Sequence, residues 1–128
     1  MTHISCPFCN LSEDRIIDED RHFVVICDGY PVTPAHTLII PKRHVGSFFE
    51  LEEEERETLY SVLEAAKERL VDEFHPDSFN IGVNDGPEAG QTVPHLHIHL
   101  IPRYKGDVED PRGGVRWVIP EKAKYWDD

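Results

Sequence analysis

His95-Leu96-His97-Ile98-His99-Leu100-Ile101 decides the reading of this chain. In an extended strand successive side chains point to opposite faces. Leu96, Ile98 and Leu100 would then face a core, with His95, His97 and His99 in a row on the other face. Imidazole changes protonation near neutral pH, attacks as a nucleophile and binds metals. Three in register predict a site of chemistry rather than a solvated surface. Residues two apart on a strand are separated by about 6.6 Å, and those four apart by about 13 Å. With Zn–N bonds of roughly 2 Å, neighbouring pairs of these imidazoles can share an ion but all three cannot. At least one imidazole is left for another task, and His97, central in the row, is the best placed to attack.

The loop before the strand, Asp85-Gly86-Pro87-Glu88-Ala89-Gly90-Gln91-Thr92, brings glycines and small residues up to it. Glycine lets backbone N–H groups approach an anion closely, and Gln91 and Thr92 add neutral donors. Further out, residues 15–18 and 22–28 read as two strands around a charged turn. Residues 37–40 read as a third strand stopped by Pro41, and 78–84 as a fourth. The histidine strand, stopped by Pro102, is the fifth. Ser47 with Glu50 three residues on is a capping-box pattern for a short helical turn. One long helix is expected over 52–74, because Leu59, Leu63, Ala66, Leu70 and Phe74 recur at spacings of four and three. The tail, 103–128, is expected to be ordered loop with a short strand near 115–119. Strands joined by short loops, with one long helix between them, predict an α+β fold: an antiparallel sheet of about five strands packed on a helix.

The chain has 128 residues, of which 39% are hydrophobic, and a formal net charge of −12. This suits one domain spanning 1–128. No apolar run reaches the roughly 20 residues a membrane span needs. The acidic balance argues against long nucleic acid and anionic membranes as partners. The first ten residues lack the pattern of a secretory signal. With three cysteines, Cys6, Cys9 and Cys27, a reducing, cytoplasmic setting is expected. Cys27, in an apolar run, reads as a core residue. Cys6-Pro7-Phe8-Cys9 has the spacing of a zinc knuckle or a redox pair. No strand precedes it, which disfavours the redox motif; a zinc site needs two more ligands, for which His44 and His95 are the candidates.

The pattern His-φ-His-φ-His-φ-φ at 95–101 (φ, apolar) resembles the signature of the histidine triad (HIT) superfamily of nucleotidyl hydrolases and transferases. The resemblance extends to Asn84-Asp85-Gly86, Ala89-Gly90-Gln91-Thr92-Val93, Pro34-Ala35-His36 and Leu38-Ile39-Ile40-Pro41. The stretch 85–93 looks especially like the fragile-histidine-triad branch, which hydrolyses dinucleoside polyphosphates. That branch lacks the cysteine pair, so this chain combines features of two branches.

The resemblance implies a HIT-like fold and a homodimer. It implies that His97 attacks the α-phosphate of a nucleotide, forming a nucleotidyl-histidine that water cleaves to release AMP. His99 would contact phosphate and His36 would support the catalytic imidazole. Gln91 and Thr92 would contact phosphate oxygens, Asn84 would lie beside the nucleotide, Asp28 would bind the ribose hydroxyls and Ile26 would pack on the base. Arg103 is either a phosphate contact or a surface arginine. His95 would join Cys6, Cys9 and His44 on a structural zinc, and the imidazole chemistry itself needs no catalytic metal. The expected substrates are dinucleoside polyphosphates. Alternatives are a purine nucleoside phosphoramidate hydrolase or nucleotidyltransferase, a hydrolase with catalytic zinc on His95 and His97, and a nucleotide-binding protein with little catalysis.

Overall fold

A computed structural model describes residues 5–127. Five strands, β1 (Ile16–Glu19), β2 (Phe23–Cys27), β3 (Thr37–Pro41), β4 (Ser78–Gly82) and β5 (Ile98–Arg103), form one sheet in the order β1-β2-β3-β5-β4. Every neighbouring pair is antiparallel. The long helix α1 (Glu53–Phe74) lies between β3 and β4 in sequence and packs on one face of the sheet. The expected α+β architecture is the observed one.

Alternation in the central strands builds two apolar layers. Phe23, Val25, Ile39, Ile98 and Leu100 meet Val62, Ala66 and Leu70 of α1. Val24, Ile26, Leu38 and Ile40 form the second layer, covered by Phe8, Leu11 and Ile16. Burial on both faces is why β2 and β3 read as continuous apolar runs. The helix stripe is centred on Val62-Ala66-Leu70, with Leu59 and Leu63 alongside. Phe74, expected at the end of this stripe, is the last helical residue and is 45% exposed.

Local signals set the boundaries. Ser47 and Glu50 form the expected reciprocal cap on a 3-10 turn, Phe48–Glu50. Glu52 and Glu55 form a second one at the start of α1, where Glu53 to Glu55 also favour the positive end of the helix dipole. Glu55 is buried and salt-bridged to Arg43, with N···O 2.8 Å, which holds its carboxyl below its ordinary range. His75 closes the helix in the left-handed conformation, φ 52°.

Four expectations are corrected. β4 stops at Gly82, short of residue 84. β5 runs through Pro102, which lies opposite Phe79, because β3 has already ended: its last partner on β5 is Leu100, opposite Thr37. A proline beyond the paired stretch costs no ladder bond on that side. Cys27 is exposed, since the burial of β2 ends at Ile26. The tail forms no strand at 115–119; it makes a 3-10 turn, Gly114–Val118, and a short helix α2 (Pro120–Ala123). Gly113 and Gly114 have φ of 97° and 48°, which turns the chain tightly. The Arg116 guanidinium then donates to the carbonyls of Lys122 and Ala123, closing the tail on itself. Among the described residues no helix is long and apolar enough to cross a membrane.

Candidate active site and metal-ligating cluster

The sheet face opposite α1 is covered from two directions. Phe8, Leu11 and Ile16 lie over β2 and β3. The tail, through Gly114, Val115 and Trp117, borders a cavity whose sheet side is lined by Asn80 and Ile101 on β4 and β5. The histidines sit between these covers. Only His99 belongs to the regular strand; His95 and His97 occupy the irregular approach to β5. The expected seven-residue strand is therefore half strand and half loop. His95 departs most: it is fully buried and its ring meets His44 edge-on, with centroids 4.9 Å apart. The ring of His97 lies 5.2 Å from that of His99, which lies 5.1 Å from that of His36.

Backbone partners fix the tautomers. His97 Nδ1 is 2.8 Å from the carbonyl oxygen of His95. A carbonyl only accepts, so Nδ1 carries the proton and Nε2 keeps its lone pair. Val32 N–H donates to His36 Nδ1 at 3.1 Å, which places the His36 proton on Nε2. That Nε2–H donates to His99 Nδ1 at 2.9 Å, with Asp28 Oδ2 3.4 Å away. In neutral His99 the proton is thereby left on Nε2. Asp28, His36 and His99 also bring ligand atoms within 4.8 Å of one another. The His36 proton lies between them, so the group is a hydrogen-bonded relay.

Burial pushes the His99 imidazole down to about 4, reinforced by His97 and His36 and opposed by Asp28. Burial also lowers His36, again against Asp28. Above the ordinary value of 6.5 both rings are neutral, folded or unfolded. Below it the unfolded chain takes up protons that the folded rings refuse, so stability falls as pH drops from about 6.5 toward 4. Urea midpoints at pH 7 and pH 5 should show this loss, and His99→Asn should reduce it. An equal loss in the variant would contradict the assignment.

A cavity of about 380 Å³ opens at His97 and His99. Asp28, Asn84 and Thr92 line it as expected, together with Gly90 of the loop. Gly86 and Gly90 bend this loop with φ of 101° and 98°, and Asp85 ties it to the Ser47 turn. Two expected contacts are corrected. The Gln91 amide is committed to the loop: its oxygen accepts from Gly86 N–H, and its NH2 donates to the carbonyls of Gly46 and Val93. It braces the loop and has no donor left for phosphate. Ile26 is fully buried in the second apolar layer, beneath the cavity wall. Phe8, Arg15 and Leu38 line the wall instead, and none was singled out for this role from sequence. Arg103, half-buried, is held by Asp107 through two nitrogens and donates to Asn80 Oδ1 through the third.

Cys6, Cys9, His44 and His95 come together as expected, with all four ligand atoms within 4.8 Å of one another. Cys9 Sγ lies 3.1 Å from His44 Nδ1; His95 Nδ1 lies 3.4 Å from Cys6 Sγ and 3.6 Å from Cys9 Sγ. Tetrahedral Zn–S and Zn–N bonds of about 2.3 and 2.0 Å imply ligand separations of roughly 3.3–3.8 Å, so the donor set fits zinc. His95 Nε2–H donates to the Pro41 carbonyl at 2.8 Å, which leaves Nδ1 as the ligating atom. Four protein donors make a closed site. The catalytic-zinc alternative requires His95 and His97 to converge on one ion. Their Nδ1 atoms instead point to different partners, the cysteines and a carbonyl.

The HIT domain family model matches residues 11–106. Protein hit of Bacillus subtilis is 37% identical over 108 residues, 80% of this chain and 74% of that protein. A crystal structure of a zinc-bound histidine triad family protein from Mycobacterium smegmatis has 34% identity and a TM-score of 0.73, covering 84% of this chain and 81% of the other. The bis(5'-adenosyl)-triphosphatase of Saccharomyces cerevisiae is 33% identical over 119 residues. That match covers 91% of this chain and 54% of the yeast protein, so the chain spans about half of that relative's length. Sheet order, histidine row and sequence agree: the chain belongs to the HIT family.

Proposed function

We propose that this protein is a nucleotidyl hydrolase that cleaves dinucleoside polyphosphates at an α-phosphate through a covalent nucleotidyl-histidine on His97. One observation carries the reading: the Nδ1–H of His97 is anchored on the His95 carbonyl at 2.8 Å, and its Nε2 lone pair is available in a cavity that also holds Asp28, Asn84 and Thr92. A neutral imidazole fixed in this tautomer is a competent nucleophile without a separate base. The name of the yeast relative supports the substrate class.

In the first step His97 Nε2 attacks the α-phosphorus. The N–P bond forms, the P–O bond to the departing nucleotide breaks, and that oxygen takes the electron pair. The Nε2–H of His99, set by the relay from Val32 and His36, is a donor to phosphate oxygen. The His95 carbonyl stabilises the positive charge that grows on the attacking ring. In the second step water attacks phosphorus and the N–P bond breaks. A nucleoside monophosphate leaves with one proton released. Asp28 keeps Oδ1 on the Tyr30 N–H, and its carboxylate accepts from the ribose diol.

Cys6, Cys9, His44 and His95 hold a structural zinc in this reading, which clamps the N-terminal segment onto the sheet. The protein works as a homodimer, an expectation carried by the family resemblance, in the cytoplasmic setting expected from its cysteine usage. The deciding experiment offers diadenosine triphosphate, diadenosine tetraphosphate, adenosine phosphoramidates and nucleotide sugars, with products separated and the reaction quenched within milliseconds. Adenylyl adduct on His97 with a dinucleotide is expected. Turnover of a dinucleotide without adduct would overturn the mechanism, and turnover of phosphoramidates alone would overturn the substrate class.

A further inference from the structure

One row of paired residues crosses four strands. Ile16 of β1 lies opposite Ile26 of β2, Ile26 opposite Leu38 of β3, and Leu38 opposite His99 of β5. Ile16, Ile26 and Leu38 belong to the second apolar layer, so the row lies on the face away from α1. Three strand spacings, about 14 Å, separate its ends, which is the scale of a nucleoside monophosphate laid across the strands. His99 stands at one end. At the other, Arg15 precedes Ile16, and Arg15 and His99 both line the nucleotide cavity. Asp28 falls between them. Its carboxylate is 3.4 Å from His36, the partner of His99, and it follows Cys27, whose carbonyl accepts from Arg15.

The guanidinium of Arg15 is exposed at the surface but held in place. Its Nη2 donates to the Cys27 carbonyl at 3.1 Å. It lies over Gly29, where an added Cβ would be 3.8 Å from that nitrogen. Among the described residues no carboxylate forms an ion pair with it, although the chain has a net charge of −12. It is also the one lysine or arginine among the described residues that line this cavity.

Hydrogen bonding at this end of the cavity is one-sided. A guanidinium only donates. The acceptors beside it are in use: the Cys27 carbonyl by Arg15, and the Asp28 carboxylate by the Tyr30 N–H, by His36 and by the ribose. A base placed here gains from acceptors on its edge and loses from donors. Guanine offers O6 and N7, both acceptors, to a forked guanidinium, whereas adenine offers N7 beside an amino group that donates.

We propose that Arg15 reads the base of the nucleotide retained on His97 and makes the cavity selective for guanine, a 6-oxopurine, over adenine. The inference rests on the hydrolase reading for its substrate, a guanosine-containing dinucleoside polyphosphate that yields GMP. Adenine dinucleotides still enter, because Asp28, His97 and His99 act on ribose and phosphate and not on the base.

Equilibrium titration with GMP, AMP and inosine 5'-monophosphate tests the selection without turnover. GMP should bind roughly tenfold tighter than AMP, the low end of discrimination by one bidentate pair. Inosine 5'-monophosphate should bind like GMP, since it keeps O6 and N7 and lacks only the 2-amino group. Arg15→Ala should bring GMP and AMP to parity by weakening GMP alone. Arg15→Gln should reverse the preference, because a carboxamide donates to adenine N7 and accepts from its amino group. Arg15 is exposed, so neither change opens a core. AMP bound as tightly as GMP by the wild type, inosine 5'-monophosphate bound like AMP, or a GMP preference that survives both substitutions overturns the selection. Hydrolysis reports separately: kcat/KM should be higher for diguanosine triphosphate than for diadenosine triphosphate. Protein that prefers GMP and cleaves neither dinucleotide overturns the hydrolase reading and leaves the selection standing. Cleavage of both with equal kcat/KM and no GMP preference overturns the selection alone.

Discussion

His97→Ala is expected to reduce turnover of a dinucleoside polyphosphate by on the order of 10⁴-fold or more, the scale seen when a covalent nucleophile is removed. Nucleotide affinity should change little, because Asp28, Asn84, Thr92 and the glycine loop remain in place. Single-turnover kinetics with equilibrium binding of a non-hydrolysable nucleotide separates the two quantities. The side chain is half-buried at the end of a loop, so the truncation leaves both apolar layers intact. His97→Gly should regain part of the rate with added imidazole, since the missing ring can be supplied from solution. A variant that turned over normally would remove the nucleophile from the mechanism and return the site to simple nucleotide binding.

Cys9→Ser is expected to have the largest effect on stability. Protein purified without added metal should carry about one zinc per chain, as a closed four-donor site implies, and the variant should carry much less. Losing the ion releases the segment that covers Val24, Ile26, Leu38 and Ile40. The thermal midpoint should fall by roughly 10 °C, because structural metal binding contributes directly to folding. Turnover should fall less than in His97→Ala, since the nucleophile and its carbonyl anchor remain. Wild-type protein free of zinc would remove the metal from this account.

The parts of the fold legible in the sequence are those that depend on local periodicity. The apolar runs of β2 and β3, the stripe of α1 and the Ser47–Glu50 cap each leave a repeating or paired signal within a few residues. The cluster of two cysteines and two histidines was legible because metal chemistry restricts candidate donors to a few side chains. Other features depend on what the chain meets after folding. Alternation placed His95, His97 and His99 on one strand face, yet His95 turns inward to meet Cys6 and Cys9. Ile26 and Cys27 are adjacent and both apolar, but one lies under the N-terminal segment and the other lies beyond the edge of the core. Gln91 has the right chemistry for phosphate, and its amide goes to three backbone groups that no sequence spacing reveals. The run 115–119 is rich in β-branched residues, yet its conformation is set by two preceding glycines and by Arg116 closing on carbonyls further along. Phe8 was the missed signal with a trace: it sits between the two cysteines of the cluster, so whatever they approach, its ring approaches too. Here that is His97, 5.0 Å away between ring centroids.

The two covers over the histidine face have a consequence for how such a protein diversifies. The histidines of the row are carried by the sheet and its immediate loops, whereas the walls around them come from polypeptide on either flank of that scaffold. Insertions or substitutions in those flanks can reshape what is admitted without disturbing His97, the proposed nucleophile. Selectivity can therefore drift quickly in this architecture while the chemistry stays fixed.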